Sequence, residues 1–293
     1  MTYQEQLDFA RAFGLLTEYL SLDGIIHRTG TLTKPGSRNG WYLGFQQPPF
    51  LIVGDWQTGK QEAYKGIGSV DAKSIEQQRQ ISEQLAKQRY QRQQDAAKAA
   101  NSLYNRATSV ISHPYLSAKQ LSQVKGIRCL DGQLLVPLYD FGGNDHQLVN
   151  VQQISANGQK RFIAGGKVQG TCFPIGLGGF NGAGEIYIAE GMATAATVYS
   201  LTNSPTLAAM NANNLAHVAQ LVKVKWPLVE IIIAADDDYL TQLATGINPG
   251  QEKAMQAARS VGGMVSTPPF TQEQRQAGLT DWNDYRNVQK GVA

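Results

Sequence analysis

Cysteine is almost missing from this 293-residue chain: Cys129 and Cys172 stand far apart, with no cysteine or histidine at ligand spacing beside either. That argues against a zinc module and against a disulfide framework. Cys172, in the apolar stretch TCFPIG, reads as a core thiol. No apolar run approaches the roughly 18 residues of a membrane span. The start, MTYQEQLDFARAFG, lacks a signal peptide's basic residues and apolar centre. A cytoplasmic protein with no membrane contact is expected. An excess of one charge is also lacking: 26 basic and 23 acidic side chains give a net charge of +3, too little by itself to single out nucleic acid as a partner. The four histidines, His27, His113, His146 and His217, are scattered and none is assigned to catalysis. His113, before Pro114, is expected to shape a joint between domains.

Glycine and proline are absent from about residue 71 to 108, a stretch rich in Gln, Ala, Lys, Arg and Glu. These residues lose little entropy in a helix, and apolar positions are sparse in the first two-thirds. A long exposed helix over 71–110 is therefore expected to link two domains. Its basic residues Arg79, Lys87, Arg89 and Arg92 read as a solvated face.

Residues 1–70 read as a small β-rich module. Aromatic and aliphatic runs alternate with Gly, Pro and Asp turns. Trp41, Tyr42, Phe45, Phe50, Trp56 and Tyr64 supply bulk for a small core. Interleaved with Arg28, Lys34, Arg38, Lys60 and Lys65, they equally suit single-stranded nucleic acid, whose phosphates need charge and whose bases need flat faces. GDWQTGKQ, Gly54 to Gln61, nearly spells a phosphate-binding loop. Gln61 stands where Ser or Thr must ligate Mg²⁺ and no apolar helix follows, so a hairpin turn is expected.

From residue 111 to 180 short apolar runs are punctuated by DG, GGND and ANG turns. This predicts an antiparallel meander with strands near 128–131, 133–139, 147–154 and 160–164. From 181 to 293 strand and helix alternate: EIYIAEG, then MATAATVYSLTN; TLAAM, then NLAHVAQLVKVKW; EIIIAADDD, then GQEKAMQAARSVG; then MVSTPP. Such alternation implies a parallel sheet with covered faces. The fold class expected is α+β and α/β: a β-rich module, a linker helix, a mixed lobe and a parallel-sheet domain.

In open α/β sheets, functional groups gather at the carboxyl ends of the strands. One strand here ends on Glu190 and another on Asp236, Asp237 and Asp238. Asp236 and Asp238, two apart, can face the same way in extended chain. Carboxylates brought together repel unless a cation lies among them, and an oxygen-only set suits Mg²⁺ or Mn²⁺. Capping of the next helix would explain one such Asp, but a Glu-Gly after one strand and an Asp-x-Asp after another is a stronger pattern.

On these residues the segment from about 184 to 285 resembles the Toprim domain shared by primases, topoisomerases, OLD-type nucleases and RecR proteins. Its glutamate matches Glu190 and its Asp-x-Asp matches Asp236 and Asp238; DWND supplies Asp281 and Asp284 where primases place a further acid. Upstream, HPYLSAKQL, GIRCLDGQLLVPLYD and LVNVQQISANGQKRFIAGGKVQG are similar to plasmid- and phage-encoded primases related to bacterial DnaG. The N-terminal segment resembles the zinc-free module of conjugative-plasmid primases. Thr194 stands where DnaG has an Asp, in the form seen in the plasmid and phage branch.

The resemblance implies a DNA primase that makes short RNA primers on single-stranded DNA from nucleoside triphosphates by two-metal nucleotidyl transfer. Glu190, Asp236 and Asp238 would be catalytic and, with Asp281 and Asp284, would hold Mg²⁺ or Mn²⁺, without zinc. Lys160, Arg161 and Lys167 would bind nucleotide or template; apart from the resemblance, the basic and aromatic pattern of residues 1–70 offers Arg28 and Arg38 for the template. Any replicative helicase would be a separate polypeptide. A Toprim nuclease, using the same acids with water as nucleophile, and a non-catalytic single-strand binding protein are the rival expectations.

Overall fold

The computed structural model describes residues 2–47, 49–65, 72–121, 124–142 and 147–291. Residues 143–145 of the GGND turn, His146 and the Arg79 side chain lie outside the described residues. The chain divides into two compact units, residues 1–88 and 89–293. No described helix is long and apolar enough to cross a membrane.

The first unit opens with helix α1 (Tyr3–Ala12). The Thr2 hydroxyl accepts the Glu5 N–H at 3.3 Å and the Glu5 carboxylate accepts the Thr2 N–H at 2.8 Å, satisfying two amides that a helix start otherwise leaves unpaired. An antiparallel sheet follows in chain order: β1 (Leu15–Leu16), β2 (His27–Thr31), β3 (Gly40–Phe45), β4 (Phe50–Asp55) and β5 (Gln61–Lys65). Strand periodicity sends alternate side chains inward, so Tyr42, Leu51 and Val53 close on Leu7 and Ala10 of α1. On the other face Trp41 lies opposite Gly54, where a Cβ would come within 2.4 Å of the indole; only glycine lets the ring lie there. Gly54 to Gln61 is a hairpin turn between β4 and β5, as expected. The Asp55 carboxylate stabilises it by accepting the Gln57 N–H at 2.8 Å and the Thr58 hydroxyl at 3.1 Å.

Helix α2 spans Ala72–Arg106, and Lys87, Arg89 and Arg92 are exposed on it. Its last third is no linker. Ala96 and Ala100 are buried, and Leu103 and Tyr104 pack with Ala107, Leu135 and Val151 in a core of the second unit. Apolar residues return there every three or four positions, which gives that end a buriable stripe. The linker expected to run to residue 110 thus ends earlier.

The second unit continues with β6 (Thr108–Ser109), α3 (Pro114–Ala118), β7 (Arg128–Leu130), β8 (Gln133–Asp140), β9 (Leu148–Ile154), β10 (Lys160–Phe162) and β11 (Thr171–Ile175). His113 caps α3: its Nδ1 accepts the Tyr115 N–H at 3.2 Å, while Nε2 lies 3.1 Å from the Gly132 carbonyl. The alternating part is β12 (Glu185–Ala189), α4 (Met192–Thr202), β13 (Thr206–Ala208), α5 (Leu215–Lys225), β14 (Glu230–Ala234), α6 (Tyr239–Thr245), α7 (Pro249–Val261), β15 (Met264–Ser266), α8 (Gln272–Gln276) and α9 (Trp282–Gln289). The expected meander and parallel strands are joined in one ten-stranded sheet with the path β10-β9-β8-β11-β13-β12-β14-β15, to which β7 adds beside β8 and β6 beside β7. β11 is the seam, antiparallel to β8 on one side and to β13 on the other. The boundary expected at residue 180 therefore falls within a shared sheet.

β12 and β14 read as continuous apolar runs because both faces are covered. Ile186, Ile188, Ile231 and Ile233 pack with α5 and α7, whereas Ala189 and Ala234 face the core that contains α4. Each fully buried Ile stabilises by about 2 kcal/mol. Cys172 is fully buried, and burial pushes its thiol well above the usual range, an inert core group as expected.

Candidate metal centre at the carboxyl edge

β12 and β14 are parallel neighbours in register, Ala189 beside Ala234, so the residues after them emerge at the same edge. Glu190 follows β12 and leads into the Gly191 N-cap of α4; Asp236 to Asp238 follow β14 and lead into α6.

The three aspartates have different surroundings. Asp237 is fully engaged. Its Oδ1 accepts from Asn248 Nδ2 at 2.8 Å and Gln251 Nε2 at 3.0 Å, and its Oδ2 accepts from Arg275 Nε at 2.7 Å. It is the anchor of the loop, with its charge consumed inside the fold. Asp238 Oδ2 accepts the Gly250 N–H at 2.9 Å at the start of α7, where the helix dipole favours an anion. Gly250 is required there, because a Cβ would come within 2.6 Å of the Asp236 carbonyl. Asp236 Oδ1 is one of two buried side-chain polar atoms without a hydrogen-bond partner among the described residues, the other being Trp282 Nε1. Burial, followed by the charges of Glu190, Asp281 and Asp238, pushes the Asp236 carboxyl up to about 8, with Lys119 opposing. Burial and then the Asp238 charge raise the Glu190 carboxyl, against Lys160 and an amide bond from Ala212.

Glu190, Asp236 and Asp238 therefore share one electrostatic neighbourhood. Among the described residues no group of three or more His, Cys, Asp or Glu side chains is arranged to hold a metal ion. That does not conflict with a Mg²⁺-type site, since Mg²⁺ keeps several waters and commonly binds through one or two carboxylates. The residues fit such an ion: the donors are all oxygen, and the Asp236 oxygen has no protein partner.

Asp281 and Asp284 lie at the start of α9. They form a reciprocal cap: Asp281 Oδ1 accepts the Asp284 N–H at 2.8 Å, and Asp284 Oδ2 accepts the Asp281 and Thr280 amides at 3.4 and 3.0 Å. The charge of Asp281 reaches Asp236, whereas one Asp284 oxygen is occupied by capping.

Of the basic residues singled out, Lys160 comes to the acidic edge. Its Nζ lies 3.9 Å from the point a Cβ on Gly191 would occupy, over the Glu190–Gly191 turn, and 5.8 Å from the centre of the Tyr115 ring. Arg161, the next residue of β10, is exposed and pairs in register with Gln153. Lys167 forms an ion pair with Asp140 at 2.6 Å. In the first unit, Arg28 donates to the Arg38 carbonyl at 2.9 Å and lies across from Trp41, which stacks on Trp56 at 5.1 Å.

Sequence reasoning missed Lys119. Its Nζ lies 3.4 Å from Asp281 Oδ2 and 3.8 Å from Asp284 Oδ1. Burial disfavours its charge, but Asp281 and Asp284 outweigh that and its pKa is raised. The contact spans 162 residues of chain, and no local spacing announces it.

The chain resembles known proteins over most of its length. The chain is 32% identical over 265 residues to a DNA primase TraC of Escherichia coli, a stretch that is 86% of this chain and 25% of that protein. A second Escherichia coli DNA primase TraC is 30% identical over 289 residues, 92% of this chain and 20% of that protein. The chain thus spans no more than 25% of the length of these curated relatives. The primase fragment of the bacteriophage T7 primase-helicase protein superposes with a TM-score of 0.40 at 19% identity, over 56% of this chain and 62% of that one, a likeness too loose to weigh. The Toprim domain family matches residues 185–291, which include Asp236, Asp238, Asp281 and Asp284 together with Glu190.

Proposed function

We propose that the chain is the catalytic part of a cytoplasmic DNA primase that makes short RNA primers on single-stranded DNA from nucleoside triphosphates. The observation that carries this reading is the unpartnered, buried oxygen of Asp236, set among Glu190 and Asp238 at the carboxyl edge of the parallel strands. The likeness to two proteins named DNA primase TraC supports it.

Glu190, Asp236 and Asp238 would hold the divalent ion, Mg²⁺ or Mn²⁺, with Asp281 and Asp284 contributing negative charge beside them. Bound there, such ions would supply a lowered pKa for an attacking 3′-hydroxyl and positive charge beside the departing pyrophosphate. Phosphoryl transfer asks for placement and charge neutralisation rather than a covalent nucleophile, so no Ser or Cys is needed. Lys160, over the Glu190–Gly191 turn, would meet a phosphate of the bound nucleotide. Arg161 and Lys167 would contact nucleotide or template, Lys167 after exchanging Asp140 for a phosphate. In the first unit Arg28 and Arg38 would hold the template backbone, while Trp41 and Trp56 offer faces on which bases stack.

Incubation with single-stranded templates, labelled ribonucleotides and Mg²⁺ or Mn²⁺ tests the reading. Oligoribonucleotides that depend on the template are expected. Cleavage of the template without synthesis would identify a nuclease, and binding with neither reaction would identify a non-catalytic single-strand binding protein.

A further inference from the structure

The backbone around Lys119 is fixed more firmly than a surface turn requires. Lys119 closes α3, its N–H bonded to the Tyr115 and Ser117 carbonyls. Its own carbonyl accepts from Asn283 Nδ2 at 2.8 Å and from an Arg286 terminal nitrogen at 3.0 Å, and the Gln120 carbonyl accepts from that Arg286 nitrogen at 2.9 Å. Asn283 and Arg286 are both buried on α9. Gln120 sits at φ 47°, a left-handed conformation uncommon outside glycine, held here by those bonds. The result is that the Lys119 ammonium lies against the first turn of α9, beside Asp281 and Asp284, and within electrostatic reach of Asp236.

We propose that Lys119 is a positioning residue of the acidic edge: its ammonium, clamped to Asp281 and Asp284, keeps both carboxylates out of the ion's coordination shell and stands in for a second cation, so that the free protein takes up a single divalent ion through Glu190, Asp236 and Asp238. This rests on the acidic edge being an ion site. The geometry explains why five carboxylates gather here without forming one cage: three face the strand ends and two are held by a resident cation. A second divalent ion then has a place only when it arrives with a ligand that brings its own negative charge.

The test is a Mn²⁺ titration of the full chain, without nucleotide or DNA, followed by electron paramagnetic resonance of the free ion. The wild-type chain is expected to bind one Mn²⁺. Lys119→Met, which keeps most of the length of the side chain and removes its charge, is expected to bind two, the first at least about threefold tighter because a nearby positive charge is gone. Lys119→Arg should restore the single ion, and Lys119→Met with Asp281→Asn should return to one as well. Asp281→Asn alone keeps its helix cap, since Asn caps as well as Asp, and should still bind one ion with affinity within about tenfold of wild type. One ion of unchanged affinity in Lys119→Met would overturn the role of Lys119 alone. So would loss of binding in Asp281→Asn, which makes Asp281 a ligand and does not depend on how Lys119→Met folds. No Mn²⁺ bound by the wild-type chain would overturn the ion site and this inference with it.

Discussion

The ten-stranded sheet has two halves that handle charge in opposite ways. In the antiparallel half, formed by β10, β9, β8 and the start of β11, successive strand ends lie at opposite edges. Its charges meet neighbours one at a time, as Lys167 meets Asp140. In the parallel half, β12 and β14 end at one edge, and three carboxylates from two strand ends share a neighbourhood that burial makes costly. Strand direction alone sets the difference. An antiparallel sheet disperses its loop residues, whereas a parallel sheet collects them, and a collected set of like charges must be relieved by a proton or a cation.

The largest expected effect lies in the parallel half. Asp236→Asn should reduce nucleotide incorporation by at least about 100-fold while circular dichroism and melting remain those of a folded protein. Incorporation near the wild-type rate would mean that the collected charges serve another purpose.

Next is the contrast between neighbours within that half. Asp237 is buried and paired, so Arg275→Ala should cost stability, about 2 kcal/mol in urea denaturation. The value is set below that of a fully buried pair because Arg275 is partly exposed and Asp237 keeps its bonds from Asn248 and Gln251. An unchanged midpoint would show that the loop is anchored elsewhere.

A smaller effect separates the two lysines of the antiparallel half. Lys160→Ala should lower incorporation about tenfold and raise the KM for nucleoside triphosphate, since one charge-assisted phosphate contact is worth about 1.5 kcal/mol or more. Lys167→Ala, which loses a partly exposed pair to Asp140, should change it less than about threefold. Equal losses would erase the distinction between the lysine that reaches the acidic edge and the one that does not.

A further effect, separate from these, is a pH dependence in the absence of divalent ions. The Asp236 carboxyl, near 3.8 in the unfolded chain and about 8 when folded, is neutral in the native protein below pH 8. Between those values the native state holds a proton that the unfolded state has lost, so stability falls as pH rises and levels off above 8. Asp236→Asn removes that dependence. Its melting temperature relative to wild type should therefore rise between pH 6 and pH 9, by about 2–4 °C for each kcal/mol relieved. A constant difference across that range would place the proton elsewhere.

Much of this was legible in the sequence. The alternation of strand and helix after residue 184 located β12, α4, β13, α5, β14, α7 and β15, because buried parallel strands must be apolar on both faces. Glycine marked close approaches at Gly54 and Gly250 only in retrospect, since no spacing shows what a missing Cβ would have touched. The limits of the linker helix were misread for a related reason: Ala100 and Ala107 are helix formers in any setting, and only contact with Leu135 and Val151 turns them into core.

The sequence by itself determined that Glu190 and the aspartate triplet end apolar strands, because a two-residue side-chain period and a burial pattern are local properties of the chain. Which aspartate is left without a partner, which is consumed by Arg275 and which caps α7 was decided by the tertiary structure. So was the arrival of Lys119 beside Asp281, from 162 residues away. These depend on which side chains the folded backbone brings within a few ångströms, and electrostatic and hydrogen-bond energies are decided at that range.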